Sequence, residues 1–383
     1  MKYKDLEVSP EILKAVERMG FTDMTRIQKE AIPPMLDGYE LIAKAPTGTG
    51  KTCAFGIPIV ERIVKEEQCV QGLILAPTRE LAVQIRDDLR DLTYYMPWLK
   101  VVAVYGGQPI NKQIEALKKR PQILVATPGR LIDLLRRRAV NIDDAWMTVL
   151  DEADEMLNMG FVKDVRYILD KLPSDKQLCM FSATLSREVM DISWMYQKDP
   201  LEITVKPVED SKPKITQYCI ESALSDKFTQ MIQILRCHEY RKTMVFCNTK
   251  YMTESLSRQI DAQGFKSRCL NGDMPQSARN KIMQSFRDGA MDVLVATDVA
   301  ARGLDIDGVD AVFSYEIPNE NGFYLHRIGR TGRAQKEGVS FVFYTPDERP
   351  RLRDLARYTK SEITPVDIHA DGTFAPNGKS LED

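Results

Sequence analysis

Short apolar runs alternate with amphipathic runs along most of this chain, and the alternation begins again after a break near the middle. Apolar runs of strand length that alternate with helical patterns are typical of parallel sheets. The chain is therefore predicted to form two α/β domains, each a parallel sheet flanked by helices on both faces. The predicted strands are residues 40–45, 72–76, 101–105, 122–126, 147–150 and 178–181, then 216–221, 243–247, 266–270, 292–296, 311–315 and 339–343.

The break is a polar segment, residues 206–214, which contains two prolines and lacks apolar periodicity. Such a composition predicts a linker. We therefore expect an N-terminal domain over residues 1–205, a C-terminal domain over residues 215–365, and a mobile tail of loop composition over residues 366–383. The stretch ILVAT in the first half has a counterpart, VLVAT, in the second, as two related domains would show.

The charges are nearly balanced, with 53 Lys and Arg residues against 55 Asp and Glu residues and a formal net charge of -2. Such a chain has no bulk attraction for a polyanion, so nucleic acid would have to be held by local clusters and backbone groups. The seven cysteines show no CxxC spacing, which predicts free thiols in a reducing compartment. We find no signal region and no apolar run of membrane-spanning length, and therefore expect a cytoplasmic protein with no membrane partner.

A glycine-rich loop follows the first predicted strand and precedes a predicted helix. Its backbone N–H groups can approach phosphate oxygens, and the positive end of the helix favours an anion. Lys51 would place its charge at the β- and γ-phosphates, and the hydroxyl of Thr52 would bind Mg²⁺. The alternative is a glycine-rich turn before an ordinary helix. The residues of the loop are Ala45, Pro46, Thr47, Gly48, Thr49, Gly50, Lys51 and Thr52.

Two adjacent carboxylates, Asp151 and Glu152, follow the predicted strand over residues 147–150. Alone, they could be solvated turn residues. Together with the phosphate-binding loop they predict a nucleotide triphosphatase, in which Asp151 holds Mg²⁺ and Glu152 orients or deprotonates the attacking water.

Three arginines are spaced by three residues, at Arg327, Arg330 and Arg333. This spacing places them near one side of a helix or turn. The functional interpretation is an arginine finger that the second domain brings to the γ-phosphate. The alternative is a solvated basic face.

The ordered set of motifs resembles the DEAD-box family of ATP-dependent RNA helicases, in superfamily 2, from about residue 3 to about residue 345. Besides the loop, the arginine cluster and DEAD at residues 151–154, the motifs are PTRELA, GG, TPGR, SAT, VFCNT, QSAR and ATDVAARGLD, which begin at residues 77, 106, 127, 182, 245, 276 and 296. The resemblance implies two RecA-like domains, ATP and Mg²⁺ as cofactors, and RNA as the partner.

The resemblance also implies an adenine-reading motif within residues 1–29. A glutamine amide such as that of Gln28 can donate and accept on the N6/N7 edge of adenine, and Phe21 can stack on the base. The alternative for Phe21 is a core aromatic residue. The family usually has proline at the position of Met24 and phenylalanine at that of Tyr3.

Further roles are implied residue by residue. Asp305 would contact the ribose, and Ser182 and Thr184 would hydrogen-bond to Asp154 and couple the nucleotide and RNA sites. The short hydroxyls, glycines and arginines of the remaining motifs suit a sugar-phosphate backbone that is bound without regard to sequence. The implied RNA-binding residues are Pro77, Thr78, Arg79, Gly107, Thr127, Gly129, Arg130, Asn248, Thr249, Gly272, Asp273 and Thr297.

We therefore expect RNA-stimulated ATP hydrolysis coupled to local, non-processive unwinding of short RNA duplexes, or to remodelling of RNA–protein complexes. We expect a monomer; either protein partners supply its target choice, or the sequence is the core of a longer protein that does. Two alternatives are an ATP-dependent RNA clamp with little or no unwinding and a DNA-directed superfamily 2 translocase.

Overall fold

The computed structural model describes residues 1–46, 48–205, 215–301, 306, 308–332 and 337–381. The chain divides into two compact units, Met1–Val208 and Glu209–Asp383. The predicted linker, residues 206–214, lies outside the described residues.

A seven-stranded sheet forms the centre of the N-terminal unit, and each neighbouring pair of its described strands is parallel. The strand order is β3–β4–β2–β5–β6–β1–β7. The strands are β1 (Leu41–Lys44), β2 (Gly72–Leu75), β3 (Val101–Val104), β4 (Ile123–Ala126), β5 (Met147–Leu150), β6 (Gln177–Ser182) and β7 (Leu201–Thr204). The first six were predicted from apolar runs. The edge strand β7 was not, because only Ile203 in it is buried.

Both faces of this sheet are buried, as alternate residues of β2 show. Ile74 packs in one apolar cluster with Phe55 and Phe181, whereas Leu73 and Leu75 pack in another. Neighbouring strand residues point to opposite faces, so helices must cover both. The helices are α1 (Pro10–Arg18), α2 (Arg26–Leu36), α3 (Lys51–Glu61), α4 (Arg79–Leu92), α5 (Ile110–Leu117), α6 (Pro128–Arg136), α7 (Ala153–Met156), α8 (Val162–Leu169) and α9 (Arg187–Tyr196).

The C-terminal unit repeats this topology. Its sheet has the order β10–β11–β9–β12–β13–β8–β14–β15, so its first six positions match those of the N-terminal sheet strand for strand. The ILVAT and VLVAT stretches contain β4 and β11, which occupy equivalent places. The strands are β8 (Ile215–Glu221), β9 (Thr243–Cys247), β10 (Ser267–Leu270), β11 (Val293–Thr297), β12 (Ala311–Ser314), β13 (Gly338–Tyr344), β14 (Thr364–Ile368) and β15 (Phe374–Pro376).

Helices and three apolar clusters complete the C-terminal unit. The described helices are α10 (Lys227–His238), α11 (Lys250–Ala262), α12 (Gln276–Arg287), α13 (Asp298–Ala301), α14 (Asn321–Ile328) and α15 (Arg349–Thr359). The two parallel-dominated sheets with their flanking helices confirm the predicted fold class of two RecA-like domains.

The segment after residue 365 contains more regular structure than its loop composition predicts. Strand β14 begins at Thr364 and pairs in parallel with β8, and β15 pairs antiparallel with β14. The ring of Phe374 lies 4.8 Å from that of Tyr218. A single aromatic anchor within polar residues gives little sequence signal, which explains why the prediction contained no strand here.

All seven cysteines are free thiols, as predicted. Among the described residues, no helix combines the length and the apolar character needed to cross a membrane.

Candidate active site

The glycine-rich loop connects β1 to α3, which begins at Lys51. Gly48 and Gly50 have φ angles of 79° and 87°, a region that only glycine adopts readily. A Cβ atom at Gly50 would also lie 2.5 Å from Nε2 of Gln28, so both the backbone angle and the lack of space require glycine at this position. The loop therefore leads directly into the N-terminus of α3, whose free backbone N–H groups can bind phosphate. Thr47 lies outside the described residues.

Lys51 and Asp151 face each other, because β1 and β5 end at the same edge of the sheet on either side of β6. The Nζ atom of Lys51 lies 3.6 Å from Oδ1 of Asp151, and the two side chains are only 6% and 4% exposed. This ammonium group has no hydrogen-bond partner within the described part of the chain. Since buried polar groups are nearly always hydrogen-bonded, the unsatisfied ammonium fits an anionic ligand such as a nucleotide phosphate.

Glu152 has left-handed backbone angles, φ 49° and ψ 50°. Its backbone N–H donates to Oδ1 of Asp151 at 2.9 Å, and its side chain is half-buried. For a residue other than glycine this conformation costs about 1–3 kcal/mol and is concentrated at functional sites. The turn ends β5 abruptly and starts α7 at Ala153, so that Glu152 lies beside Asp151 at the edge of the sheet.

Asp154, Ser182 and Thr184 form one hydrogen-bonded group. Thr184 donates to Oδ2 of Asp154 through its backbone N–H at 2.8 Å and its hydroxyl at 2.7 Å. The hydroxyl of Ser182 accepts from the backbone N–H of Asp154 at 3.1 Å and donates to the carbonyl of Thr184 at 2.7 Å. Ser182 thus contacts the main chain of Asp154, whereas Thr184 binds its carboxylate.

Gln28 is buried and joins the N-terminal segment to the glycine-rich loop. Its Oε1 accepts from the backbone N–H of Thr25 at 2.8 Å and from the hydroxyl of Tyr3 at 2.6 Å. Its Nε2 donates to the carbonyl of Gly50 at 3.0 Å. Phe21 is 44% exposed, so the alternative of a core aromatic residue is wrong. Its ring stacks on that of Tyr3, with 6.4 Å between the ring centroids.

Three separate segments of the N-terminal unit meet around Gly107. A Cβ atom there would lie 1.9 Å from Nη1 of Arg79, so the guanidinium group packs directly on the glycine backbone. Arg130 donates from both terminal nitrogens to the carbonyl of Gln108 at 3.1 Å. Burial lowers the pKa of Arg130, Asp133 opposes this effect, and the charge of Arg79 adds to it. Two guanidinium groups thus lie close to each other beside an exposed glycine.

Threonines recur where strands end and helices begin. Thr78 and Thr127 are the N-cap residues of α4 and α6, Thr249 is that of α11, and Thr297 directly precedes α13. Each therefore lies at the positive end of a helix, where a phosphate is favoured. Of their neighbours among the predicted RNA-binding residues, Gly129, Gly272 and Asp273 are exposed and Pro77 is buried.

Arg327 differs from the prediction for the arginine cluster. Its side chain is fully buried. It donates to both carboxylate oxygens of Asp298 at 2.6 and 2.7 Å, to the carbonyl of Glu316 at 2.7 Å and to Oδ1 of Asn248 at 3.1 Å. The predicted common face for the arginines, whether a finger or a solvated patch, is therefore wrong for Arg327.

The remaining predicted residues are described only in part. Arg330 is half-buried and donates through Nε to the carbonyl of His326 at 3.3 Å. Arg333 and Asp305 lie outside the described residues. Asn248 is occupied within its own unit, since its Nδ2 donates to the carbonyl of Ile317 at 2.9 Å and its Oδ1 accepts from Arg327.

Sequence reasoning missed Asp298, the partner of Arg327, and the hydroxyl of Tyr3. The available signal for Asp298 was a carboxylate two residues after the end of the predicted strand over residues 292–296.

Comparison with known proteins gives consistent matches over nearly the whole chain. Residues 25–192 match the DEAD/DEAH box helicase family model, and residues 226–335 match the helicase conserved C-terminal domain. The ATP-dependent RNA helicase CshA of Limosilactobacillus reuteri is 43% identical over 366 residues, which are 96% of this chain and 73% of that protein. The DEAD-box ATP-dependent RNA helicase CshA of Bacillus cereus is 41% identical over 365 residues, 95% of this chain and 69% of that protein.

Solved structures agree with these relatives. Saccharomyces cerevisiae Dbp5 bound to RNA and ADP BeF3 matches with a TM-score of 0.85 and 30% identity over 95% of both chains. A DEAD box protein from Methanococcus jannaschii matches with a TM-score of 0.54 and 38% identity over 96% of this chain and 99% of that one. This chain belongs to the DEAD-box helicase family.

Proposed function

We propose that this protein is an ATP-dependent RNA helicase that couples RNA-stimulated ATP hydrolysis to the local opening of short duplexes or the remodelling of RNA–protein complexes. The observation that carries the proposal is the buried, unsatisfied ammonium of Lys51 beside Asp151, in a family whose relatives are named as ATP-dependent RNA helicases.

The glycine-rich loop and the N-terminus of α3 would hold the phosphates of ATP. Lys51 would neutralise the charge of the β- and γ-phosphates, while Thr52 and Asp151 would hold Mg²⁺, whose chemistry is to neutralise charge on the phosphate oxygens. Gln28 and Phe21 would bind the adenine, and Asp305 the ribose. The donor set fits a hard cation, because it combines a hydroxyl and a carboxylate oxygen.

Hydrolysis needs a positioned water and a stabilised transition state. Glu152 would orient that water or take its proton, since the turn at Glu152 fixes it next to Asp151. Arg330 and Arg333 would complete the site from the C-terminal unit when ATP and RNA close the two domains. An arginine finger contributes on the order of 10³–10⁵ in rate, so turnover without RNA should be slow.

RNA would be bound through its backbone. Arg79, Gly107 and Arg130 would contact phosphates in the N-terminal unit, and Thr249 and Gly272 in the C-terminal unit. Contacts of this kind do not read base identity, so protein partners would supply the choice of target. Helix α6 would act as a wedge that bends one strand; each base step disrupted costs roughly 1.4 kcal/mol by the duplex DNA value, which limits opening to short stretches.

The Asp154 group would connect hydrolysis to strand separation. Removing only the hydroxyl of Thr184, in Thr184→Val, takes one of the two Thr184 hydrogen bonds from Oδ2 of Asp154 and keeps the backbone one. We expect this variant to retain RNA-stimulated hydrolysis and to lose strand separation. Thr184→Ser restores the hydroxyl and should restore separation; if Thr184→Val separates strands normally, the coupling role is wrong.

The deciding experiment measures ATP turnover alone, with single-stranded RNA and with single-stranded DNA of the same sequence. It also measures separation of an RNA duplex of about one helical turn and of one of about three turns. We expect stimulation by RNA and opening of the short duplex. Equal stimulation by DNA would favour a DNA-directed translocase, and stable RNA binding without turnover would favour a clamp. Glu152→Gln is the matched control, expected to bind ATP and RNA without hydrolysis.

A further inference from the structure

The hydroxyl of Tyr3 occupies a hydrogen-bonding position on Gln28 that a bound adenine would also need. It donates to Oε1 of Gln28 at 2.6 Å within a buried contact. The same oxygen accepts from the backbone N–H of Thr25 at 2.8 Å. A carboxamide oxygen has two lone pairs, so both are in use.

The orientation of the Gln28 amide does not depend on Tyr3. The backbone N–H of Thr25 can only donate, which requires the oxygen of the amide to face it. The carbonyl of Gly50 can only accept, which requires the nitrogen to face it, at 3.0 Å. These two main-chain groups therefore fix which end of the Gln28 amide is oxygen and which is nitrogen. The hydrogen bond from the Tyr3 hydroxyl is not needed to set that orientation.

The unused capacity of Gln28 is then one N–H of its amide nitrogen. Adenine presents an acceptor at N7 and a donor at its 6-amino group. The free N–H can bind N7, which every purine has, but the oxygen has no lone pair left for the 6-amino group. We propose that the Tyr3 hydroxyl competes with the 6-amino group of adenine for Oε1 of Gln28 and thereby weakens the selection of ATP over other purine nucleotides.

This proposal rests on the proposed function, in which Gln28 binds the adenine of ATP.

Tyr3 is held in place by the turn that precedes α2. Its backbone N–H donates to the carbonyl of Thr22 at 3.3 Å, Lys2 forms a β-bridge with Asp23, and its ring stacks on Phe21. Burial raises the pKa of Tyr3, and Cys53 beside the hydroxyl raises it further. The hydroxyl therefore keeps its proton and remains a donor at neutral pH.

Tyr3→Phe removes the competing donor and keeps the ring. The measurements are the dissociation constants of ATP and of purine riboside triphosphate, which has N7 but lacks the 6-amino group. We expect Tyr3→Phe to bind ATP about three- to tenfold more tightly, the factor that one neutral hydrogen bond is worth. Binding of the purine analogue should not change. Tyr196→Phe is the matched control, since it removes another tyrosine hydroxyl bond in the same unit, to Asp170 at 2.8 Å, and should alter neither constant.

Two outcomes would overturn the proposal. If Tyr3→Phe weakens ATP binding or shifts both nucleotides equally, the hydroxyl supports the site and does not compete in it. Gln28→Ala separates this failure from a failure of the proposed function: it removes the amide N–H that would bind N7, so it should weaken the binding of ATP and of the purine analogue alike. If Gln28→Ala leaves both dissociation constants unchanged, Gln28 does not bind adenine, and the competition is overturned with it.

Discussion

The ammonium of Lys51 lies 3.6 Å from the carboxylate of Asp151, and both side chains are almost completely buried. Lys51 comes from the first residue of α3, and Asp151 directly follows β5, so the pair links two elements whose sequence positions are a hundred residues apart. Burying either charge costs free energy, and the attraction between the two charges offsets much of that cost. For Lys51 this attraction matters most, because its ammonium has no hydrogen bond within the described residues.

We expect either single substitution, Lys51→Met or Asp151→Asn, to destabilise the nucleotide-free protein by about 3 kcal/mol, because each leaves one buried charge uncompensated. The double variant should be less destabilised than the sum of the two, by about 0.5–3 kcal/mol, since it leaves neither charge. Urea unfolding of all four proteins measures this coupling. Strictly additive effects would show that the two charges do not stabilise each other.

Substitutions at Glu152 test whether the strained turn after β5 is needed for hydrolysis at a cost in stability. At an ordinary position glycine is less stable than alanine by about 0.5–1 kcal/mol. Glycine adopts the left-handed angles of Glu152 without strain and alanine does not. Glu152→Gly should therefore be more stable than Glu152→Ala by a similar amount. Both variants should lose ATP hydrolysis, because both lack the carboxylate. Unfolding midpoints and turnover rates check the two parts separately; a less stable glycine variant would contradict the strain argument.

The buried thiol of Cys179 should make the N-terminal unit less stable as the pH rises into the alkaline range. Burial raises the pKa of this thiol from 9.0 to about 12, against a smaller opposing effect from the backbone at Leu41. The folded state therefore keeps the proton that the unfolded chain loses above pH 9, so this contribution to stability is fully present below about pH 9 and is lost progressively as the pH rises towards about 12.

The comparison is between the wild type and Cys179→Ala, whose side chain cannot ionise. The urea midpoint of the wild type should fall more steeply between about pH 8 and about pH 10.5 than that of Cys179→Ala. Val149→Ala is the matched control, because Val149 is the strand partner of Cys179 in β5 and β6 and its truncation leaves a cavity without removing a titrating group. Its midpoint should fall in parallel with the wild type. Equal slopes for all three proteins would exclude the thiol as a source of the alkaline loss.

The parts of the fold that could be predicted are those whose signal is local. Parallel strands buried on both faces appear as apolar runs, and the fully buried strands β2, β4, β5, β6, β9, β11 and β12 were predicted on that signal. The partly buried strands β8 and β10 were predicted because the same alternation begins again after the linker. The edge strand β7 contributes one buried side chain, Ile203, and β15 is anchored by Phe374. Neither leaves a periodic pattern that a sequence can show.

The site divides in the same way. The glycine-rich loop and residues 151–154 carry their chemistry within a few consecutive positions, and they were assigned from sequence. The bonds of Arg327 and Tyr3 depend on partners 29 and 25 residues away. A spacing of three predicts a shared helix face, but it cannot show that one arginine of the set turns inward to meet a carboxylate at the end of another strand.

Arg327 and Arg330 provide a matched pair of arginines, three residues apart, with different expected roles. Arg327 is fully buried and makes four hydrogen bonds, two of them to Asp298, whereas Arg330 is half-buried. Arg327→Ala leaves the Asp298 carboxylate without its partner and should destabilise the C-terminal unit by about 3–5 kcal/mol. Arg330→Ala should cost little stability and lower RNA-stimulated ATP turnover by about 10³ or more, the lower range for an arginine finger.

Unfolding curves and turnover rates for both variants separate the two roles. Arg327→Lys is the informative conservative change, because a lysine cannot reproduce the two parallel bonds that the guanidinium group makes to Asp298; it should lose most of the same stability. If Arg330→Ala turns over ATP normally with RNA, the arginine finger is wrong. If Arg327→Ala is as stable as the wild type and loses only turnover, Arg327 acts in catalysis, and its buried contacts with Asp298, Glu316 and Asn248 do not hold the strand ends of the C-terminal unit together.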